Sequence, residues 1–199
     1  MTYIADAKKI DRVAVDGLLG VSNSLAYKVH EIEKHLHSGG RWWGSNDAVG
    51  DSPAEQGLLP FIVVASDTVA TFGDAVEIMD GTEDWEYGEI IAKFDPHEIF
   101  ITEIGKAPLV WKMRVANSAW NGTTHTYANM AEAVAANKFS DVLFKIDATN
   151  FDGFPFAFQS GRINIGSKLW CQVMNSSTSA DSVASRTVKF YIGSHGYSG

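Results

Sequence analysis

With 199 residues, 45% of them hydrophobic and 20% charged, the chain has ordinary globular composition, which excludes a wholly disordered polypeptide. A net charge of −8 without any Lys/Arg cluster disfavours direct binding to nucleic acid, because an acidic body repels the polyanion. The single cysteine, Cys171, excludes an internal disulfide and a cysteine-based zinc site, and no apolar run approaches the ~20 residues of a membrane span.

Residues 1–21 mix charged and apolar positions without a long period and are punctuated by Gly17 and Gly20, the pattern of an extended arm that folds on a neighbour. Charges throughout Met1–Gly20 are unlike a signal peptide, so a soluble protein made in a cytoplasm is expected. Residues 22–37 read as a helix. Ser22 or Asn23 can cap its first turn, and Gly39 and Gly40 stop it. Its apolar positions, Leu25, Val29, Ile32 and Leu36, are spaced four, three, four, which is the narrow seam of a coiled coil or of a helix lying in a groove. A helix this short is marginal alone in water and must dock, either on its own body or around a symmetry axis with its copies.

Residues 38–57 read as a loop, with Arg41, Trp42 and Trp43 at its start. Adjacent side chains on an extended segment point to opposite sides, so one tryptophan is expected in the core and the other at an interface, where tryptophan and arginine concentrate.

From Leu58 onward the hydrophobic period becomes two. Strands are expected over Leu58–Ala65, Ala75–Met79, Glu89–Phe94, His97–Ile104, Leu109–Ala116, Val142–Asp147, Phe154–Phe158, Leu169–Met174 and Val188–Ile192, with Thr123–Tyr127 as a further candidate. Asp80-Gly81, Asn121-Gly122 and Asp152-Gly153 supply turns. Met130–Lys138 is alanine-rich and fits a short helix or a strand, with strand or irregular structure the preferred reading, and Ser176–Ser185 is a polar loop. Many short strands separated by turns indicate a mostly β chain: an antiparallel β-sandwich or jelly roll over 58–199, preceded by an arm, helix and Trp-containing loop over 1–57.

Catalytic chemistry finds little support. Cys171 alternates with Leu169 and Val173 and reads as a small buried hydrophobe. His30, His35 and His37 have poor spacing for ligands on one helical face, and His97 follows Asp95-Pro96 without a second strand histidine beside it, so no metal is expected. Glu83, Asp84 and Glu86 flank Trp85 at what reads as a solvated hairpin tip, with calcium binding a weaker option than plain solvation. Gly193-Ser194-His195-Gly196 places a serine beside a histidine, but sequence neighbours make no triad and the segment reads as a flexible C-terminus. No phosphate-binding or dinucleotide motif is present, so no catalytic residue and no cofactor is expected.

Three phrases resemble small virion structural proteins of tailed bacteriophages, of the capsid cement or decoration type. They are Ser24-Leu25-Ala26-Tyr27-Lys28-Val29-His30-Glu31-Ile32-Glu33-Lys34-His35-Leu36-His37 running into Arg41-Trp42-Trp43-Gly44, then Phe94-Asp95-Pro96-His97-Glu98-Ile99, and Phe190-Tyr191-Ile192-Gly193-Ser194-His195-Gly196-Tyr197. The resemblance implies a non-enzymatic virion protein with a jelly-roll body, often trimeric. Its partners would be its own copies and the major capsid protein or other virion proteins, with no nucleic acid and no membrane. The expected interface is Leu25, Val29, Ile32, Leu36, Arg41, Trp42 and Trp43. The alternative is a carbohydrate- or receptor-binding β-sandwich of a tail or fibre, with Trp42, Trp43, Trp85 and Trp120 stacking on sugar rings.

Overall fold

Two strands organise the chain: β5 (Ile91–Ile104) and β11 (Thr187–Ser198), which run antiparallel along nearly their whole length, from Val188 opposite Ile104 to Ser198 opposite Ile91. In this computed structural model the described residues are 41–45, 49–50, 57–82, 91–107, 109–147, 153–158, 161–175 and 182–198, all within the unit Gly40–Gly199. The expected arm over 1–21 and helix over 22–37 lie outside them.

Further strands hang on this pair. On the far side of β11 lie β1 (Arg41–Trp43), itself paired with β2 (Val49–Gly50), and β3 (Phe61–Val64). On the far side of β5 lie β8 (Phe154–Ala157) and β9 (Ile163–Asn164). The second sheet is β4 (Val76–Met79), β10 (Lys168–Asn175), β6 (Leu109–Ser118) and β7 (Phe139–Ile146), in that spatial order. All the pairings are antiparallel, as the period-two sequence requires.

One apolar core joins the inner faces of the two sheets. The larger sheet contributes Trp43, Phe94, Ile99, Ile101, Phe190 and Ile192, and the smaller one Trp111, Met113, Leu169, Cys171 and Val173. Mostly β architecture with two antiparallel sheets follows directly from the alternation of these residues with polar ones.

Several local expectations change. Within the stretch expected as loop, Arg41–Trp43 and Val49–Gly50 are strand, the first hydrogen-bonded to β11 and the second to the first. The flanking glycines hide a three-residue strand whose main partner, β11, lies about 150 residues away in the chain. The two strands expected to break at Asp95-Pro96 are one. Pro96 sits where β5 carries one residue more than β11, with Glu98 opposite Gly193 and Pro96 opposite Ser194. A bulge tolerates the missing proline N–H that a regular central ladder does not. A second irregularity, at Thr102, brings Ile101 and Ile104 to the same inner face although they are three apart. The Gly193–Gly196 segment is no flexible tail but the middle of β11.

Met130–Ala135 is a helix, α1, where strand or irregular structure was expected. Asn129 accepts a hydrogen bond from the Glu132 N–H, while Glu132 accepts from the Ala128 N–H and the Asn129 amide, a reciprocal capping arrangement. Met130 and Ala133 then pack on Ala116 and Trp170, covering part of the outer face of the smaller sheet. Thr123–Tyr127 is not a strand. Gly122 has φ +96°, Asn121 accepts from the N–H groups of Thr123 and Thr124, and a single bridge joins Trp120 to His125.

The outer face of the smaller sheet also carries its best-formed ion pair. Asp141 on edge strand β7 accepts from Arg114 Nε at 2.7 Å and Nη2 at 2.8 Å, and Lys112 Nζ lies 2.6 Å away. Burial opposes ionisation of Asp141, but Arg114 and Lys112 outweigh it and hold its pKa below the usual value of 3.8. A carboxyl lowered by folding stabilises the fold above its unfolded pKa, and that contribution is lost as pH falls through the folded value. Asp141→Asn is therefore expected to cost about 1 kcal/mol at pH 7, allowing for solvent screening. Urea unfolding should show the difference from wild type shrinking as pH falls from about 4, where the unfolded carboxyl takes up its proton, toward the lower folded value.

Candidate functional site

The alternation of β11 divides Ser194 from His195. Ser194 is fully buried on the core side, where its Oγ accepts the Trp43 indole N–H at 2.8 Å. His195 faces the opposite side of the sheet with Tyr197. The serine and histidine of the Gly-Ser-His-Gly phrase thus stand on different faces of one strand and share no chemistry.

On the outer face, His195 meets residues of β5. Asp95 pairs directly with His195 in the ladder, and His97, two residues on, shares the face of Asp95. The imidazoles of His97 and His195 stack with centroids 4.0 Å apart and planes 9° from parallel. Asp95 Oδ1 lies 3.5 Å from His97 Nδ1 and 3.7 Å from His195 Nδ1, and accepts the His195 backbone N–H at 3.3 Å. The other oxygen, Oδ2, accepts the Tyr197 hydroxyl at 2.6 Å. Arg162 stacks over the Tyr197 ring at 3.7 Å.

The charges follow from these contacts. Burial works against the Asp95 carboxylate, but hydrogen bonds from His97 and Tyr197 and the nearby imidazole outweigh it and lower its pKa. Burial likewise works against protonated His97, but hydrogen bonds to Asp95 and the attraction of that carboxylate raise its pKa above 6.5. Burial and the hydrogen bond to Asp95 push the Tyr197 phenol upward, so it stays a donor. The group can hold a proton or accept a cation.

Beside it the same face is aromatic. Trp42, Leu58 and Tyr191 are buried together, with Phe100 edge-on to Trp42 at 6.1 Å between ring centroids. Tyr191 donates its hydroxyl to the Leu58 carbonyl at 3.0 Å. A Cβ on Gly193 would come within 3.1 Å of the Trp42 ring, so glycine there leaves room for the indole.

Both tryptophans expected to divide between core and interface are therefore covered by their own chain: Trp43 in the central core and Trp42 against Leu58 and Tyr191. They offer no open stacking platform for a sugar. Trp120 is half-buried against His125, and Trp85 lies outside the described residues. Arg41, half-buried, pairs with Ser194 in the ladder. Leu25, Val29, Ile32 and Leu36, with His30, His35, His37 and Glu83, Asp84 and Glu86, lie outside the described residues. Cys171 is buried, its thiol pKa far above the usual range through burial alone, which makes it unreactive.

The Asp95–His97–His195 group was missed in the sequence because a proline between Asp95 and His97 reads as the end of a strand. Asp-x-His on a continuous strand would have signalled two like-facing ligands, but the partner 98 residues further on had no local signature.

No protein-family model matches the chain, and no curated protein matches it. Among solved structures, a chain described as infectious bursal disease virus, Gt strain, aligns with 12% identity and a TM-score of 0.23, over 74% of this chain. This chain spans 32% of the length of that one. A likeness at that TM-score carries no argument about function.

The Trp43–Ser194 contact, which fixes β1 to β11 beneath the site, can be tested directly. Ser194→Ala would leave a buried indole N–H without its acceptor and is expected to lower stability by about 1–3 kcal/mol in denaturant unfolding.

Proposed function

We propose that the chain is a non-enzymatic structural protein of a virus particle, a capsid cement or decoration protein like those of tailed bacteriophages, which self-associates as a trimer and braces the shell through the major capsid protein. The observation that supports it is the pair of open sheet edges with large exposed apolar side chains beside them. Strand β3 pairs only with β11, and β4 only with β10, among the described residues. A cleft of about 450 Å³ is lined by Phe61, Ile62, Val76, Ile78 and Met79 together with the polar Ser45, Glu77 and Asp80. At its rim Leu59 is 56% and Ile62 52% exposed. Leu143, on edge strand β7, is 66% exposed.

Sheet edges are ordinarily blunted by charge, prolines or short length, because an exposed apolar edge invites another chain. An assembly protein uses that tendency. Stable interfaces bury roughly 1,200–2,000 Å² in total, and edges flanked by large apolar side chains supply such area without enlarging the core. The negative charge of the whole chain suits a position away from packaged nucleic acid.

The purified full chain is expected to be an oligomer by multi-angle light scattering down to low micromolar concentration. Ile62→Asp is expected to shift it toward monomer with an unchanged far-ultraviolet circular dichroism spectrum. A monomer at every concentration, for wild type as for the variant, would remove the self-association on which the proposal rests.

A further inference from the structure

We propose that Asp95, His97 and His195 form a site for one divalent transition-metal ion of the zinc type, which ties β5 to β11. One ligand atom from each residue lies within 4.8 Å of the others. The carboxylate oxygen Oδ1 stands 3.5 Å and 3.7 Å from the two Nδ1 atoms. An ion bound at about 2.0–2.2 Å in tetrahedral geometry sets its ligands roughly 3.3–3.6 Å apart, so these separations need only small closure. Two imidazoles and one carboxylate are the donor set of borderline ions such as zinc, cobalt and nickel, not of calcium or magnesium, which take oxygen.

Support for the ligands comes from their surroundings. Tyr197 holds Asp95 Oδ2 at 2.6 Å, which fixes the carboxylate plane and turns Oδ1 toward the histidines. Such outer contacts orient metal ligands and are part of what makes a site. The backbone is equally fixed: Asp95 and His195 are ladder partners, and His97, two residues on, shares the face of Asp95. The three side chains are 15–29% exposed, open enough for an ion and a fourth, solvent ligand.

Two features set what binding must change. The rings lie 9° from parallel, so their in-plane lone pairs do not yet converge, and one ring must turn about its Cβ–Cγ bond. The His97 Nδ1–H donates to the Asp95 carbonyl at 3.2 Å, and the ion replaces that proton. Binding through Nδ1 moves that proton to Nε2 of the neutral ring, and protonation of either imidazole competes with the ion, so uptake weakens in acid.

The test uses the full chain stripped with chelator and titrated with zinc chloride by calorimetry, and with cobalt chloride by visible absorption. One ion per chain is expected, with a raised melting temperature and the intense cobalt bands of a four-coordinate site. His97→Ala and His195→Ala are each expected to lose at least tenfold in affinity, and Tyr197→Phe, which keeps all three ligands, about tenfold. Should an alanine variant fail to fold, histidine ring resonances of the wild-type chain decide. Stoichiometric zinc must shift those of His97 and His195. Absence of one-to-one binding, a zinc affinity unchanged in the His97→Ala/His195→Ala variant, or shifts confined to other histidines would overturn the proposal. None of these outcomes depends on oligomeric state, so they are separable from the assembly test.

Discussion

The antiparallel pairing of Ile91–Ile104 with Thr187–Ser198 is the constraint on which the rest of the molecule depends. It joins segments about a hundred residues apart and supplies both the inner apolar row and the outer polar cluster. β1 and β3 are placed by β11, and β8 and β9 by β5, so the larger sheet exists only once this pair has formed. Because side chains alternate across a strand, every register error in the pair would exchange core and surface. The bulges at Pro96 and Thr102 are controlled departures from that rule. One keeps Phe94 and Ile99, five apart, in the same core, and the other does so for Ile101 and Ile104, three apart.

The outer face of the same pair carries two kinds of chemistry in sequence. Trp42, Leu58, Phe100 and Tyr191 make a dry cluster near the middle of β11. Beyond Gly193 the face becomes polar, with His195 and Tyr197 against Asp95 and His97. The division of labour at Asp95 is clear: one oxygen is tied to a phenol, the other faces two imidazoles. The cleft beside β3 involves the opposite end of β11, where Thr187–Phe190 pair with Phe61–Val64. Assembly through that cleft and cation binding at the histidines thus use separate parts of one strand, and a chain can have both.

The side chains with reactive chemistry are held in three different settings. Cys171 is sealed in the core, and Ser194 is turned away from His195. Asp95 and the histidines are partnered with one another on a sheet face.

The class of fold was legible before any coordinates. Alternation in Leu109–Ala116 and Leu169–Met174 forces each to bury one face, and the turns at Asp80-Gly81 and Asn121-Gly122 are set by local backbone chemistry. Long-range pairing was not legible. Arg41–Trp43 becomes a strand only because β11 offers it hydrogen bonds, and Pro96 sits in a continuous strand only because a bulge absorbs its missing donor. Met130–Ala135 is helical through a capping exchange between Asn129 and Glu132 and a seat on Trp170. The sequence by itself determined that the chain would be mostly antiparallel β around an aromatic-rich core, since period-two hydrophobicity has no other way to leave water. Only the tertiary structure decided that Asp95, His97 and His195 meet and that Trp42 and Trp43 are both enclosed, because those facts depend on which distant strands pair and in what register.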